Sequence, residues 1–217
     1  FLYGDETVVT LILTVFSIGI AAGSMLCERL SGRKVEIGLV PFGSAGLTVF
    51  GLLLWWHSGG FPQNVQTNNW LAVLGYGQAW WVLLDILGIG VFGGFYIVPL
   101  YALIQSRTSE KERSRVIASN NILNALFMVV SAIVSIIFLS VVKLSIPQLF
   151  LVVSLMNIAV NTYIFKIVPE FTMRFMIWLL SHSMYRVEHR GLEQIPDEGA
   201  ALLVCNHVSF VDALLIA

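Results

Sequence analysis

The sequence predicts a mainly α protein: a multi-pass bundle of transmembrane helices followed by the start of an α/β domain. Three observations predict it. Of the 217 residues, 57% are hydrophobic and 12% charged, about half the ~25% charged share of a soluble domain. Five stretches are long and apolar enough to cross hydrocarbon, which takes about 20 residues as a helix. Eleven of the twelve Lys and Arg also gather at one end of those stretches, within or beyond their last few residues. This balance excludes a disordered chain, a nucleic-acid binder and an ordinary soluble domain.

The spans fall at 7–27, 37–56, 79–104, 116–142 and 148–168. The first carries Gly19 and Gly23, and the third carries Gly90 and Gly94 with Gly88 and Gly93 alongside. Small residues four apart let helices approach closely in lipid, so helix packing is the first reading and a moving hinge the second. Pro99 sits in the third span, where a proline can kink a helix whose freed carbonyl finds another partner.

The connectors set the orientation. Arg29, Arg33, Lys34, Arg107, Lys111, Arg113, Arg115, Lys166, Arg174, Arg186 and Arg190 lie on one side, and Lys143 alone on the other. The positive-inside rule puts the first group in the cytoplasm. Trp55, Trp56, Trp70, Trp80 and Trp81 cluster around the opposite loop, drawn from His57 to Gln78, as indoles do at a membrane interface. Everything after Pro169 is then expected to be cytoplasmic. The chain opens on Phe1 and stops at Ala217 inside an apolar run. It is therefore expected to be an internal piece of a longer protein.

Asp85 is the one carboxylate inside these stretches. A charge there costs a few kcal/mol on insertion scales and usually faces a cavity or a partner. Its place just inside Trp80 and Trp81 also allows a hydrated, interfacial position, so both readings stay open. Asn120 and Asn124 share a helix face, as do Ser154, Asn157 and Asn161. Interhelical hydrogen bonds are one use for such faces, and lining a transport path is another. Cys27 and Cys205 fit neither a disulfide framework nor a metal spacing; both read as reduced, semi-buried thiols, with Cys205 in a buried strand and so core. His57 reads as an interfacial loop residue, His182 as lying on a surface helix and His189 on an exposed strand face. None has a partner at ligand spacing, so no metal and no cofactor is expected.

Ser24-Met-Leu-Cys-Glu-Arg-Leu-Ser-Gly-Arg-Lys34 forms a tight basic turn between the first two spans. It resembles the signature loop of the major facilitator superfamily, with Glu28 in place of Asp, Ser24 in place of the first Gly, and one extra residue before Gly32. The resemblance implies that Glu28, Arg29, Gly32, Arg33 and Lys34 form a gating loop. The plain alternative is a turn that sets topology. Two runs, Leu26 to Gly43 and Arg113 to Ala125, resemble the lysophospholipid transporter branch of that superfamily. Residues 1–169 are then expected to be the C-terminal part of such a carrier, its last five spans.

After Pro169 the character changes. Residues 170–185 are apolar but short for a span, and read as an interfacial amphipathic helix or linker, with a sixth span as the alternative. From 186 the pattern is α/β-like. Tyr185 to Arg190 alternates like a half-exposed strand, Gly191 to Gly199 is rich in turn residues, and Ala200 to Cys205 is a short buried-strand run. Asn206-His-Val-Ser-Phe-Val-Asp212 follows. His207 and Asp212 are five apart, so they meet only across a turn. Ser209 as an N-cap would leave His207 in that turn and Asp212 in the first helical turn. The carboxylate could then hold one imidazole nitrogen while the other takes a proton from a substrate hydroxyl.

The whole pattern, from Gly191-Leu-Glu-Gln-Ile-Pro196 through Asp212, resembles the first block of the glycerolipid acyltransferases. By that resemblance His207 is the base, Asp212 orients it, and Asn206 and Ser209 support the turn. Residues 186–217 are then the N-terminal piece of an acyltransferase domain. The two resemblances together imply a bacterial inner-membrane protein that carries lysophospholipid and reacylates it. Its partners would be the phospholipid membrane, lysophospholipid, and acyl carrier protein or acyl-CoA as co-substrate. A carrier with a non-catalytic tail, and an acyltransferase merely tethered by helices, are the alternatives.

Overall fold

The computed structural model describes residue 2, residues 4–31, 37–60 and 69–167, and positions 169, 173, 176, 177 and 179. Six helices order the described chain: α1 (Glu6–Leu30), α2 (Leu39–Gly59), α3 (Trp70–Leu74), α4 (Gly77–Arg107), α5 (Glu110–Ile136) and α6 (Ile146–Ile167). No strand occurs among the described residues. Five of the helices, all but α3, are long and apolar enough to cross a membrane. The protein is a membrane-spanning helical bundle.

Helix ends follow local chemistry. Asp5 caps α1: its Oδ1 accepts from the Thr7 amide at 2.9 Å and from the Thr7 hydroxyl at 2.6 Å. The same hydroxyl oxygen accepts from the Trp70 amide at 3.1 Å, tying the start of α3 to that of α1. Glu6 opens α1 and Arg29 closes it, each charge favourable to the helix dipole. Asn69 caps α3 by accepting from the Ala72 amide at 2.9 Å, and Gly75 ends it. The expected loop from His57 to Gln78 is therefore corrected on three counts. α2 continues through His57 until the Gly59-Gly60 pair stops it, α3 occupies the middle, and α4 has begun by Gly77.

The spans otherwise sit within a few residues of expectation, and the largest difference is at α5. There Ser109 and Glu112 extend the helix back into the charged segment, with the Glu112 and Arg113 amides donating to the Ser109 carbonyl. At its far end α5 widens into a π-helical turn over Ile137–Val141. Lys143 then takes a left-handed φ of 59° to turn the chain into α6.

Close backbone approach fixes the register. On α1, Gly19 packs against Gly90 and the Leu87 carbonyl of α4, and Gly23 packs against Val91 and Gly94. Both pairs advance together along the chain, so α1 and α4 run parallel. On α2, Gly43 meets Phe95 and Tyr96, Gly46 meets Phe92, and Phe50 meets Gly88. Here one number rises as the other falls, so α2 is antiparallel to α4. Gly51 of α2 meets Ser154 of α6, and Ser44 meets Asn157, again antiparallel. The order by contact is α1, α4, α2, α6. Pro99 is buried within α4, which runs through it as one helix of 31 residues, about 46 Å at 1.5 Å per residue.

Two apolar clusters fill the spaces between helices. Val8, Leu54, Val73, Val82 and Ile86 form one near the tryptophan-rich end. Cys27, Leu39 and Phe95 form the other near the basic end, where the rings of Phe42 and Phe92 meet edge to face at 5.2 Å. Among the described residues, α5 contributes nothing to the buried core.

In detergent, Gly23→Val and Gly90→Val should each lower stability by about 1–3 kcal/mol through backbone overpacking. Gly93, where an added Cβ meets nothing within 4 Å, should tolerate Val within about 0.5 kcal/mol. Thermal unfolding of the three variants checks the contrast. The Thr7 hydroxyl, and secondarily the Thr7 and Val8 amides, hold the Asp5 carboxyl below its ordinary 3.8. That cap is therefore fully present above the ordinary value and is lost only as pH falls through the lower, folded value. The Thr7 amide resonance should shift in that acid range in the native chain and stay flat in Asp5→Asn.

Candidate functional site

The polar groups inside the spans collect into three places, each set by a helix register. In the first, α2 antiparallel to α4 brings His57 over Asp85. His57 Nδ1 lies 2.7 Å from Asp85 Oδ2, with 23% of the imidazole side chain and 2% of the carboxylate side chain exposed. Asp85 sits eight residues into α4, about 12 Å along its axis. Its carboxylate is buried and paired, next to the tryptophan-rich end of the bundle. The imidazole stacks on the Trp81 indole, with centroids 5.6 Å apart and planes 27° apart. Gln78 Nε2 donates to the His57 carbonyl at 3.0 Å, closing the last turn of α2 onto the start of α4. A histidine expected in a loop is thus the partner of the buried acid. The sequence signal was the Gly59-Gly60 pair, which places the helix stop beyond His57.

The second place joins α4 to α5. The Tyr101 hydroxyl oxygen accepts from Asn120 Nδ2 at 3.0 Å and from Asn124 Nδ2 at 3.1 Å. One acceptor thus serves both amides of the shared face.

The third joins α6 to α2. Asn161 Nδ2 donates to Asn157 Oδ1 at 2.9 Å. Asn157 Nδ2 in turn donates to the Thr48 hydroxyl oxygen at 2.9 Å and the Ser44 carbonyl at 3.3 Å. The Thr48 hydroxyl donates to the same carbonyl at 3.2 Å. Ser154, on the same face of α6, is buried and returns its proton to the Phe150 carbonyl of its own helix. In hydrocarbon such groups need internal partners, and these have them.

A shallow cavity of about 350 Å³ opens against α1 and α3, lined by Thr7, Thr10, Leu11, Thr14 and Trp70. The Thr10 and Thr14 hydroxyls already donate to the carbonyls of Glu6 and Thr10, which leaves the wall mainly apolar.

Glu28 and Arg29 lie on the exposed last turn of α1, which Ser31 ends by donating from its amide to the Cys27 carbonyl at 2.9 Å. Gly32, Arg33 and Lys34 lie outside the described residues, as do Asn206, His207, Ser209 and Asp212. So do Cys205, His182 and His189. Of the segment expected to lie along the interface, positions 173, 176, 177 and 179 are described, and all four are helical. Among the described residues, no group of three His, Cys, Asp or Glu is placed to hold a metal ion.

Trp56, Trp70, Trp80 and Trp81 are exposed around the α2 end and the α4 start, and the Trp80 indole N–H donates to the Leu74 carbonyl at 3.0 Å. That ring of indoles matches an interfacial belt. Fold and belt together define a multi-pass helical membrane protein. No family model, curated protein or solved structure matches the chain.

Tyr101→Phe removes the acceptor shared by both asparagines and should cost about 1 kcal/mol. Adding Asn120→Ala and Asn124→Ala to Tyr101→Phe should cost little more, since the partners are already lost. A thermal-unfolding cycle on these variants reads the coupling directly.

Proposed function

We propose that this chain spans the join between a lysophospholipid carrier and a glycerolipid acyltransferase of a bacterial cytoplasmic membrane. The observation that carries the reading is sequence order. A membrane-crossing bundle bearing carrier-like blocks at Leu26–Gly43 and Arg113–Ala125 is followed at once by Asn206-His-Val-Ser-Phe-Val-Asp212. The Lys and Arg bias supports a cytoplasmic tail, where acyl carrier protein or acyl-CoA is present.

In this reading lysophospholipid crosses through the carrier and meets the acyltransferase at the inner leaflet. Glu28, Arg29, Gly32, Arg33 and Lys34 gate the carrier. Asp85 is the polar group offered to a path through it, while Asn120, Asn124, Asn157 and Asn161 tie together the helices around that path. The segment 170–185 rests at headgroup level and keeps the catalytic turn near its acceptor. Asp212 orients His207, and His207 takes the proton of the free glycerol hydroxyl. The oxygen attacks the thioester carbonyl carbon, a C–O bond forms as the C–S bond breaks, and the leaving thiolate receives the proton from the imidazolium. The hydroxyl is esterified and the acyl donor departs as free thiol. A carrier whose tail is non-catalytic is the second reading, with which the five membrane-crossing helices are equally compatible.

In proteoliposomes carrying the whole protein, His207→Ala should reduce acyl transfer to lysophosphatidylethanolamine at least about a hundredfold and leave its uptake measurable. Acyl transfer retained in that variant removes His207 as the base. Uptake without acyl transfer in the native protein selects the carrier alone.

A further inference from the structure

The His57–Asp85 pair is more than a pin between helices. Its two groups differ sharply in access. The carboxylate is sealed between α2 and α4, while the imidazole is part open at the tryptophan-rich face. Among the described residues, the hydrogen bond to the imidazole runs through Nδ1. Nε2 is therefore the atom at which a proton from that face arrives.

With Nε2 protonated, imidazolium and carboxylate form a neutral unit joined by a charge-assisted hydrogen bond. Without that proton the neutral imidazole still donates from Nδ1, but the unit keeps a net negative charge in a buried place, which is costly there. Among the described residues the neighbouring elements offer little to offset it. α1 brings its N-cap Asp5 and first-turn Glu6, both acidic, with Asp5 committed to Thr7. α3 carries no titratable side chain, Tyr76 precedes α4, and α6 opens Ile-Pro-Gln-Leu-Phe. Lys143 stands in the turn before α6.

We infer that His57 and Asp85 form a proton-binding site, filled from the tryptophan-rich face, whose occupancy sets how firmly the end of α2 is held to α4. The proton-bound site is locked. Loss of the proton favours admission of water to the carboxylate, which releases the last turn of α2 from Trp81 and Gln78. The ligand is the proton itself, and the inference stands apart from the lipid-carrier reading because its test uses no lipid substrate. In a carrier, this site would link helix movement to the proton concentration on one side of the membrane.

The test is thermal unfolding of the full chain in nanodiscs at about pH 5.5 and pH 8, a range over which histidine changes charge. The native chain should lose about 3 °C in melting temperature between the two, relative to His57→Gln, whose amide can still donate to Asp85 but does not titrate. Asp85→Asn should reverse the sign, melting lower in acid, because the imidazolium then lacks its counter-charge. Equal pH slopes in the native chain and His57→Gln overturn the inference, as does a native slope that persists in Asp85→Asn. Should Asp85→Asn fail to fold, the ¹⁵N resonances of His57 in the native chain decide. Proton uptake at Nε2 accompanied by a change in the Trp81 indole signal supports the site, and an indole unaffected by that uptake overturns it.

Discussion

The fold depends on how near α4 lets other backbones come. A side chain on Gly90 or Gly94 would drive into α1, and one on Gly88 would drive into Phe50 of α2. In lipid there is little hydrophobic gain from joining one apolar helix to another, so close van der Waals contact must supply the association. α4 meets α1 through one glycine face and α2 through another, and α6 is added through α2. The contact of His57 with Asp85 is a consequence of that register. Sliding α2 by one turn along α4 would take His57 away from Asp85.

The bundle's polar chemistry is economical and graded by access. The relay from Asn161 through Asn157 and Thr48 to the Ser44 carbonyl is internally complete, so it holds helices without inviting water. The Tyr101 hydroxyl gathers two amides at one point, which ties α5 to the rest although α5 buries none of its described residues. The imidazole–carboxylate pair combines a sealed charge with a partner open to one membrane face. Among these places it is the one suited to answer a change in that surrounding medium.

Much of this was legible in the sequence because hydrocarbon imposes one rule, a run of about 20 apolar residues, that local composition satisfies or fails. All five spans are placed by it, and the facing glycine pairs follow from their spacing. Helix ends were less legible. Composition ended the second span at Trp56, whereas hydrogen bonding carries α2 on until Gly59-Gly60. α3 was hidden in a polar stretch, although Asn69 and Gly75 mark its two ends. The pairing of His57 with Asp85 was not legible, since 28 positions separate them and only the antiparallel register joins them. The motif from Asn206 to Asp212 was read from its sequence pattern and lies outside the described residues.

The length of α4 has a mechanical consequence. Transmembrane helices lean by up to about 40° across a core about 30 Å thick. At that limit a rod of about 46 Å still rises about 35 Å, so roughly 5 Å must protrude into the headgroup layer. The protruding part includes one or both ends, with Trp80 and Trp81 near one and Arg107 at the other. Any tilt of this post is therefore felt in the headgroup layer of at least one leaflet, as a tent pole longer than its tent pushes on the cloth.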